Sequence, residues 1–175
     1  MCYTSLKGKR RGISLLTQRE LLEQEIFDSG LSLFEMPLAG DIEGVLIDNN
    51  IVIDSASPAL KKNRVLRHEL EHYYTCPYNL LKAPKALQDK MEHIAHRRTV
   101  AKLVPINSLI AAHENGLRCP WEIAESLEVD EEFLLFALDT YHSVYGYNFK
   151  YRGYLINFKP FKIEKCTNTN KVGPL

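Results

Sequence analysis

The chain has 175 residues, of which 45% are hydrophobic and 25% are charged. These proportions are typical of globular proteins and exclude a disordered, collagen-like or coiled-coil chain. The 22 basic and 22 acidic side chains cancel, so the protein has no overall charge that would attract nucleic acid or a membrane surface.

The N-terminal segment and the cysteines indicate the compartment. No apolar run approaches the roughly 20 residues that are needed to span a bilayer. The basic segment 7–11 is followed by a stretch that is too polar for the core of a secretory signal. The four cysteines are far apart and form no CxxC pair, which is typical of reduced thiols. We therefore expect a cytoplasmic protein with no membrane partner.

The first elements along the chain are a helix and a small antiparallel sheet. Thr17 and Glu20 form a capping box, which predicts that a helix begins there and ends at Gly30. Apolar runs between turn residues then predict three short strands, at residues 31–34, 42–47 and 51–53. The turn residues between the last two strands predict a hairpin.

Helices dominate the middle of the chain. Ser57 followed by Pro58 is a typical helix start, which predicts a helix from Pro58 to about Tyr74. Further helices are predicted at residues 85–103, 108–114, 120–127 and 131–145, and Asp130 is the expected N-cap of the last one.

The order of the predicted helices and strands indicates an α+β fold, and the local net charge divides the chain into three parts. Residues 1–105 carry a net charge of +2, residues 106–150 carry −6 and residues 151–175 carry +4. We place a subdomain boundary at Pro105, so that residues 1–105 form a mostly helical core with the small sheet. Residues 106–160 form a helical subdomain that ends in a hairpin of alternating aromatic residues (147–151 and 154–158), and residues 161–175 form a polar tail.

The most informative motif is the HExxH sequence His68-Glu69-Leu70-Glu71-His72, which lies inside the helix predicted from Pro58. About two in a hundred chains of this length and composition would contain it by chance. An α-helix has about 3.6 residues per turn, so His68 and His72 lie on one face and can bind one metal ion together. Glu69 projects beside that ion, where its carboxylate can accept a proton from water.

A metal held by two histidines needs a third protein ligand for catalysis. The metzincin pattern is excluded, because Thr75 and Tyr78 stand at the positions of its glycine and its third histidine. We expect the ligand on the following helix, where Glu92 is favoured and His96, one turn later, is the alternative. His93 points about 100° away from Glu92 and cannot share its direction.

The order of these features resembles that of the ImmA/IrrE family of metallo-endopeptidases. The motifs that carry the resemblance, over residues 15–146, are the hairpin 43–53, the HExxH sequence, Glu92-His93-Ile94-Ala95, Leu103-Val104-Pro105 and the run 121–129. The sequence departs from the family pattern at two places. Glu71 stands where many members have glycine, and Arg97-Arg98-Thr99 stands in place of an aromatic and small residues. We expect Glu71 to add negative charge close to the metal.

The resemblance implies a zincin-like core and a Zn²⁺ cofactor, with His68, His72 and Glu92 as ligands and Glu69 as the catalytic residue. It also implies cleavage of a repressor protein at a specific site, which would derepress a phage or an integrative element. A regulator that binds the repressor without cutting it is the alternative. Three side chains are candidates for a donor to the oxyanion or a second contact to the ligands: His96, Tyr73 and Tyr74.

Residues 120–145 mimic a helix-turn-helix, and the hairpin after them mimics a wing. This segment contains no Lys or Arg, so it would repel DNA phosphates, and we expect no direct contact with nucleic acid. The two helices are expected to pack on the core or to dock a protein partner. The apolar side chains expected to make that contact are Trp121, Leu127, Phe133, Leu134 and Leu138.

Overall fold

The computed structural model describes residues 16–76 and 83–166 and has an α+β fold. Its elements in chain order are α1 (Gln18–Asp28), β1 (Ser32–Met36), β2 (Gly44–Ile47), β3 (Asn50–Asp54), α2 (Ala59–Thr75), α3 (Lys85–Leu103), α4 (Ile106–Glu114), α5 (Pro120–Ser126), α6 (Glu131–Tyr145), β4 (Phe149–Tyr151), β5 (Tyr154–Phe158) and β6 (Phe161–Lys165). The basic N-terminal segment, residues 77–82 between two predicted helices and the tail from residue 167 lie outside the described residues. No helix within the described ranges has the length and apolar character that crossing a membrane requires.

Local capping signals predicted most helix starts correctly. Thr17 and Glu20 form the expected capping box on α1, and Asp130 caps α6 by accepting a hydrogen bond from the backbone N–H of Phe133 (2.8 Å). The expectation that Ser57 is the N-cap of α2 is wrong, because Pro58 takes the N-cap position. The Ser57 hydroxyl donates a hydrogen bond to the carboxylate of Asp54 instead. Helix α4 begins directly after Pro105, two residues earlier than predicted.

The first sheet is mixed rather than antiparallel. Its strand order is β1-β3-β2, with β2 antiparallel and β1 parallel to the central strand β3. The chain crosses from β1 to the far side of the sheet before it forms the predicted hairpin, which fixes the parallel pairing of β1. Ile51 and Ile53 of β3 are fully buried beneath α1 and α2.

The second sheet contains the predicted hairpin, formed by β4 and β5, and a third strand, β6, that was not predicted. β4, β5 and β6 are antiparallel in sequence order. Residues 161–165, which we expected to begin the polar tail, form β6, because Ile163 is buried and pairs with Ile156. Buried and partly exposed residues alternate along β5, which places Tyr154, Ile156 and Phe158 on the face that packs against α6.

Two hydrophobic clusters organise the described residues. One joins α1, the first sheet and the first half of α2. The other joins the end of α3, helices α4 to α6 and the second sheet. Phe133, Leu134 and Leu138 belong to this second cluster and Leu127 packs against it, as expected. The expectation for Trp121 is wrong, because its side chain is 51% exposed.

Strand β2 lies unusually close to helix α2, and Gly44 makes this approach feasible. A Cβ atom at position 44 would lie 2.3 Å from Cγ1 of Val65, which is closer than any real contact between carbon atoms. A substitution here must therefore push the strand away from the helix that carries the HExxH motif.

We expect Gly44→Ala to lower the free energy of unfolding by about 1–3 kcal/mol, the usual effect of overpacking, as measured by urea denaturation. Val65→Ala removes the opposing methyl groups, so the double variant should recover part of the loss caused by Gly44→Ala. Additive losses in the double variant would show that this contact does not explain the glycine.

Candidate metal centre

Helix α2 places the two histidines of the HExxH motif side by side. One face of the helix is anchored in the N-terminal hydrophobic cluster by Val65, Leu66 and Leu70. This anchoring turns His68 and His72 toward the neighbouring helix α3, with their Nε2 atoms 2.9 Å apart. The one-turn spacing thus produces the paired imidazoles that the sequence predicted.

Helix α3 brings Glu92 to the same point. Its Oε2 lies 3.3 Å from Nε2 of His68, and its Oε1 lies 3.2 Å from Nε2 of His72. Ligand atoms of His68, His72 and Glu92 all lie within 4.8 Å of one another, so these three residues, which we call the ligand group, could hold a metal ion. His96, the alternative ligand considered from the sequence, is outside this group.

Two of the three separations match those around a small tetrahedral cation, whereas the 2.9 Å between the two Nε2 atoms is shorter. Ligand atoms at 2.0–2.1 Å from such an ion are separated by about 3.3–3.4 Å, close to the two distances between Glu92 and the histidines. Burial lowers the pKa of His68 to about 3, and the neighbouring His72 acts in the same direction. The His68 ring is therefore neutral near pH 7, which is the form that donates a lone pair to a metal.

Glu69 lies in the same cavity but outside the ligand group. Its side chain is 7% exposed. Burial raises the pKa of Glu69 to about 7, and the charge of Glu92 adds to this rise. The backbone N–H of Leu46 acts in the opposite direction by favouring the carboxylate. A carboxyl that titrates near neutral pH can both accept and release a proton.

The open edge of β2 forms one side of the cavity. The N–H of Asp54 donates to the carbonyl of Glu43 (2.9 Å), so the alternation of an antiparallel ladder points the backbone groups of Gly44 and Leu46 away from β3. Within the described residues no further strand pairs with this edge. The close packing at Gly44 therefore places a partly unpaired strand edge beside Glu69.

The three candidate donors lie at different distances from the ligand group. His96 is closest, with its ring centroid 4.6 Å from that of His68 and its Nε2 4.0 Å from Oε2 of Glu92. Tyr73 lines the cavity, but its hydroxyl donates to the carbonyl of Ser29 (3.2 Å). The Tyr74 hydroxyl is 2.8 Å from the Ser29 hydroxyl. Both tyrosine hydroxyls therefore bind the end of α1, and His96 is the candidate whose ring lies beside the ligand residues.

Glu71 does not add an uncompensated charge to the site, contrary to our expectation. Its side chain is fully buried, with Oε2 2.5 Å from Nε of Arg98 and Oε1 3.6 Å from Nη1 of Arg67. Arg67 in turn lies 2.7 Å from the carboxylate of Glu25 on α1. Of these four residues Glu71 and Arg67 are buried, whereas Arg98 and Glu25 are partly exposed. Glu71 and Arg98 are thus partners that join α2 to α3.

The ligand group lies in a cavity of about 890 Å³. Helices α2 and α3 and strand β2 form three of its sides, and Phe133 and Phe136 of α6 form another. Sequence reasoning missed Phe136, because an apolar residue three positions after the buried Phe133 has the spacing of a second core residue. It also missed the close approach at Gly44, since the strand pattern of residues 42–47 does not show which helix packs against that glycine.

Comparison with known proteins gives no assignment for this chain. It matches no protein-family model and no curated protein. What the structure establishes is an α+β protein whose His68, His72 and Glu92 could hold a metal ion.

We expect Glu92→Ala, which removes one of the three candidate ligands, to weaken Zn²⁺ binding by at least about 100-fold, because two histidines alone form a weak, open site. Competition with a chromogenic chelator measures this affinity. The matched control is His93→Ala, since the neighbouring His93 is exposed and outside the ligand group. Equal zinc affinity in Glu92→Ala and His93→Ala would exclude Glu92 as a ligand.

We expect Arg98→Ala to destabilise the fold by about 1–3 kcal/mol, because it leaves the buried Glu71 without its closest partner. Urea denaturation of the metal-free protein measures the effect. The double variant Glu71→Gly/Arg98→Ala removes both charges and should lose less than the sum of the two single changes. The neighbouring exposed Arg97 provides the control, Arg97→Ala. A strictly additive cycle would show that the pair does not stabilise the helix contact.

Proposed function

We propose that the protein is a zinc-dependent endopeptidase that cleaves a partner repressor at a specific site. The observation that carries the proposal is the buried carboxyl of Glu69 beside the His68–His72–Glu92 group, in a cavity of about 890 Å³. Three protein ligands are typical of catalytic zinc sites, whereas structural zinc sites generally use four.

Zinc is the proposed metal because two imidazoles and a carboxylate are ligands that it commonly takes in hydrolases. When bound, the ion supplies Lewis acidity, which acidifies water and polarises the carbonyl to be attacked. The size of the cavity and the open edge of β2 favour an extended peptide as the substrate. The choice of a repressor as the substrate rests on the resemblance in motif order.

Glu69 performs the proton transfers in this proposal. Its carboxylate accepts a proton from the attacking water and then donates that proton to the leaving amine. The Leu46 N–H favours the charged form of the carboxyl, and burial favours the neutral form, so both states are accessible near neutral pH. His96, whose pKa is lowered by burial, is neutral and donates from a ring N–H to the developing oxyanion.

We expect Glu69→Gln to reduce cleavage of the repressor by at least about 100-fold, because the amide cannot accept the proton from water. The protein is mixed with a candidate repressor, with and without a chelator, and the products are separated by electrophoresis and identified by mass. A discrete fragment should form only with the metal-loaded wild type. Glu69→Gln should still bind one equivalent of zinc.

The exposed Glu125 provides a matched control, because Glu125→Gln changes the same functional group outside the cavity. This variant should cut at the wild-type rate. Cleavage by Glu69→Gln at that rate would refute the proposed chemistry. Release of the repressor from DNA by Glu69→Gln, with no fragment, would instead favour the non-proteolytic anti-repressor.

A further inference from the structure

Helix α6 contributes an exposed aromatic side chain to the cavity. Phe133 and Phe136 are stacked, with ring centroids 6.1 Å apart, and both line the cavity. Phe133 is only 3% exposed and belongs to the C-terminal hydrophobic cluster, whereas Phe136 is 45% exposed. Core packing thus explains Phe133 and leaves the exposed face of Phe136 in the cavity without an explanation.

Phe136 is connected to the ligand group through one intervening ring. Its ring packs edge-on against that of His96, with centroids 5.9 Å apart, and the His96 ring lies 4.6 Å from that of His68. Side chains on the same face of an extended peptide are about 7 Å apart. Phe136 is therefore within reach of a substrate side chain that lies next to a bond held at the ligand group.

The rings of Phe133 and Phe136 form an apolar surface with a cation beside it. The guanidinium of Arg64 lies over the ring of Phe133, 6.0 Å from its centroid, and it shares the carboxylate of Glu43 with Lys61. A cationic substrate side chain would lose hydration here and lie close to Arg64, whereas an apolar side chain would gain contact area with the two rings.

We propose that Phe136 determines specificity by forming the wall of a subsite for a large apolar side chain, such as leucine or phenylalanine, next to the scissile bond. The inference rests on the proposed peptidase function. It assigns the C-terminal helical part a role in substrate selection, since α6 provides the residue that distinguishes one peptide from another.

The test measures binding rather than turnover. The zinc-loaded protein is titrated with short peptide hydroxamates that differ only in the side chain next to the hydroxamate: glycine, leucine, phenylalanine or lysine. The leucine and phenylalanine compounds should bind at least about tenfold more tightly than the glycine compound, the discrimination that an apolar pocket typically gives. In Phe136→Ala this ratio should fall below about threefold.

A second variant makes the test independent of any loss of packing in Phe136→Ala. Phe136→Glu should reverse the preference, so that the lysine compound binds more tightly than the leucine compound. Leu135 provides the matched control, because it is 48% exposed on the same helix and does not line the cavity. Leu135→Ala and Leu135→Glu should keep the wild-type order. An unchanged preference in both Phe136 variants, with zinc bound, would overturn the inference.

A measurement of peptide cleavage by the wild type and the Phe136 variants distinguishes a failure of the subsite proposal from a failure of the peptidase proposal. If the hydroxamates are discriminated as described but no peptide or repressor is cut, the subsite stands and the peptidase function fails. If peptides are cut with no preference for an apolar side chain beside the scissile bond, the peptidase function stands and the role of Phe136 is refuted.

Discussion

The packing of helix α2 against helix α3 is the constraint on which the candidate site depends. His68 and His72 come from one helix and Glu92 from the other, so their ligand atoms meet within 4.8 Å only while the two helices keep their spacing and rotation. The fully buried Glu71 lies at this contact, and its carboxylate is 2.5 Å from Nε of Arg98. A buried carboxylate without a partner is strongly unfavourable, so this pair opposes any rotation of α2 that would separate the ligands.

The features that sequence reasoning predicted correctly are those encoded over a few residues. The capping box at Thr17 and the N-cap at Asp130 depend on side chains three positions from the backbone groups they bind. The pairing of His68 with His72 follows from the helical repeat alone. Glu92 required an inference about a second helix, and the structure places it beside both imidazoles.

The features that could not be predicted depend on contacts between distant parts of the chain. Glu71 and Arg98 are 27 positions apart, and each alone resembles a solvated charge. The parallel pairing of β1 with β3 depends on the path between them, which the strand pattern does not contain. Trp121 has the helical position of a core residue but lies at the surface. In each case the local pattern is compatible with two environments, and tertiary packing selects one of them.

The cavity lies where the two hydrophobic clusters meet, since Val65 of the N-terminal cluster and Phe133 of the C-terminal cluster both line it. Helix α2 is anchored in the N-terminal cluster, whereas Val100 and Leu103 anchor the end of α3 in the C-terminal cluster. Glu92 therefore meets the histidines from helix α3, and the position of α3 depends on its contacts with α2 and with the C-terminal cluster. Phe136 follows Phe133 of the C-terminal cluster on α6 and reaches the ligand residues only through the ring of His96. In the proposed peptidase, α2 and α3 would hold the residues of the cleavage step, and α6 would provide the side chain that selects the substrate.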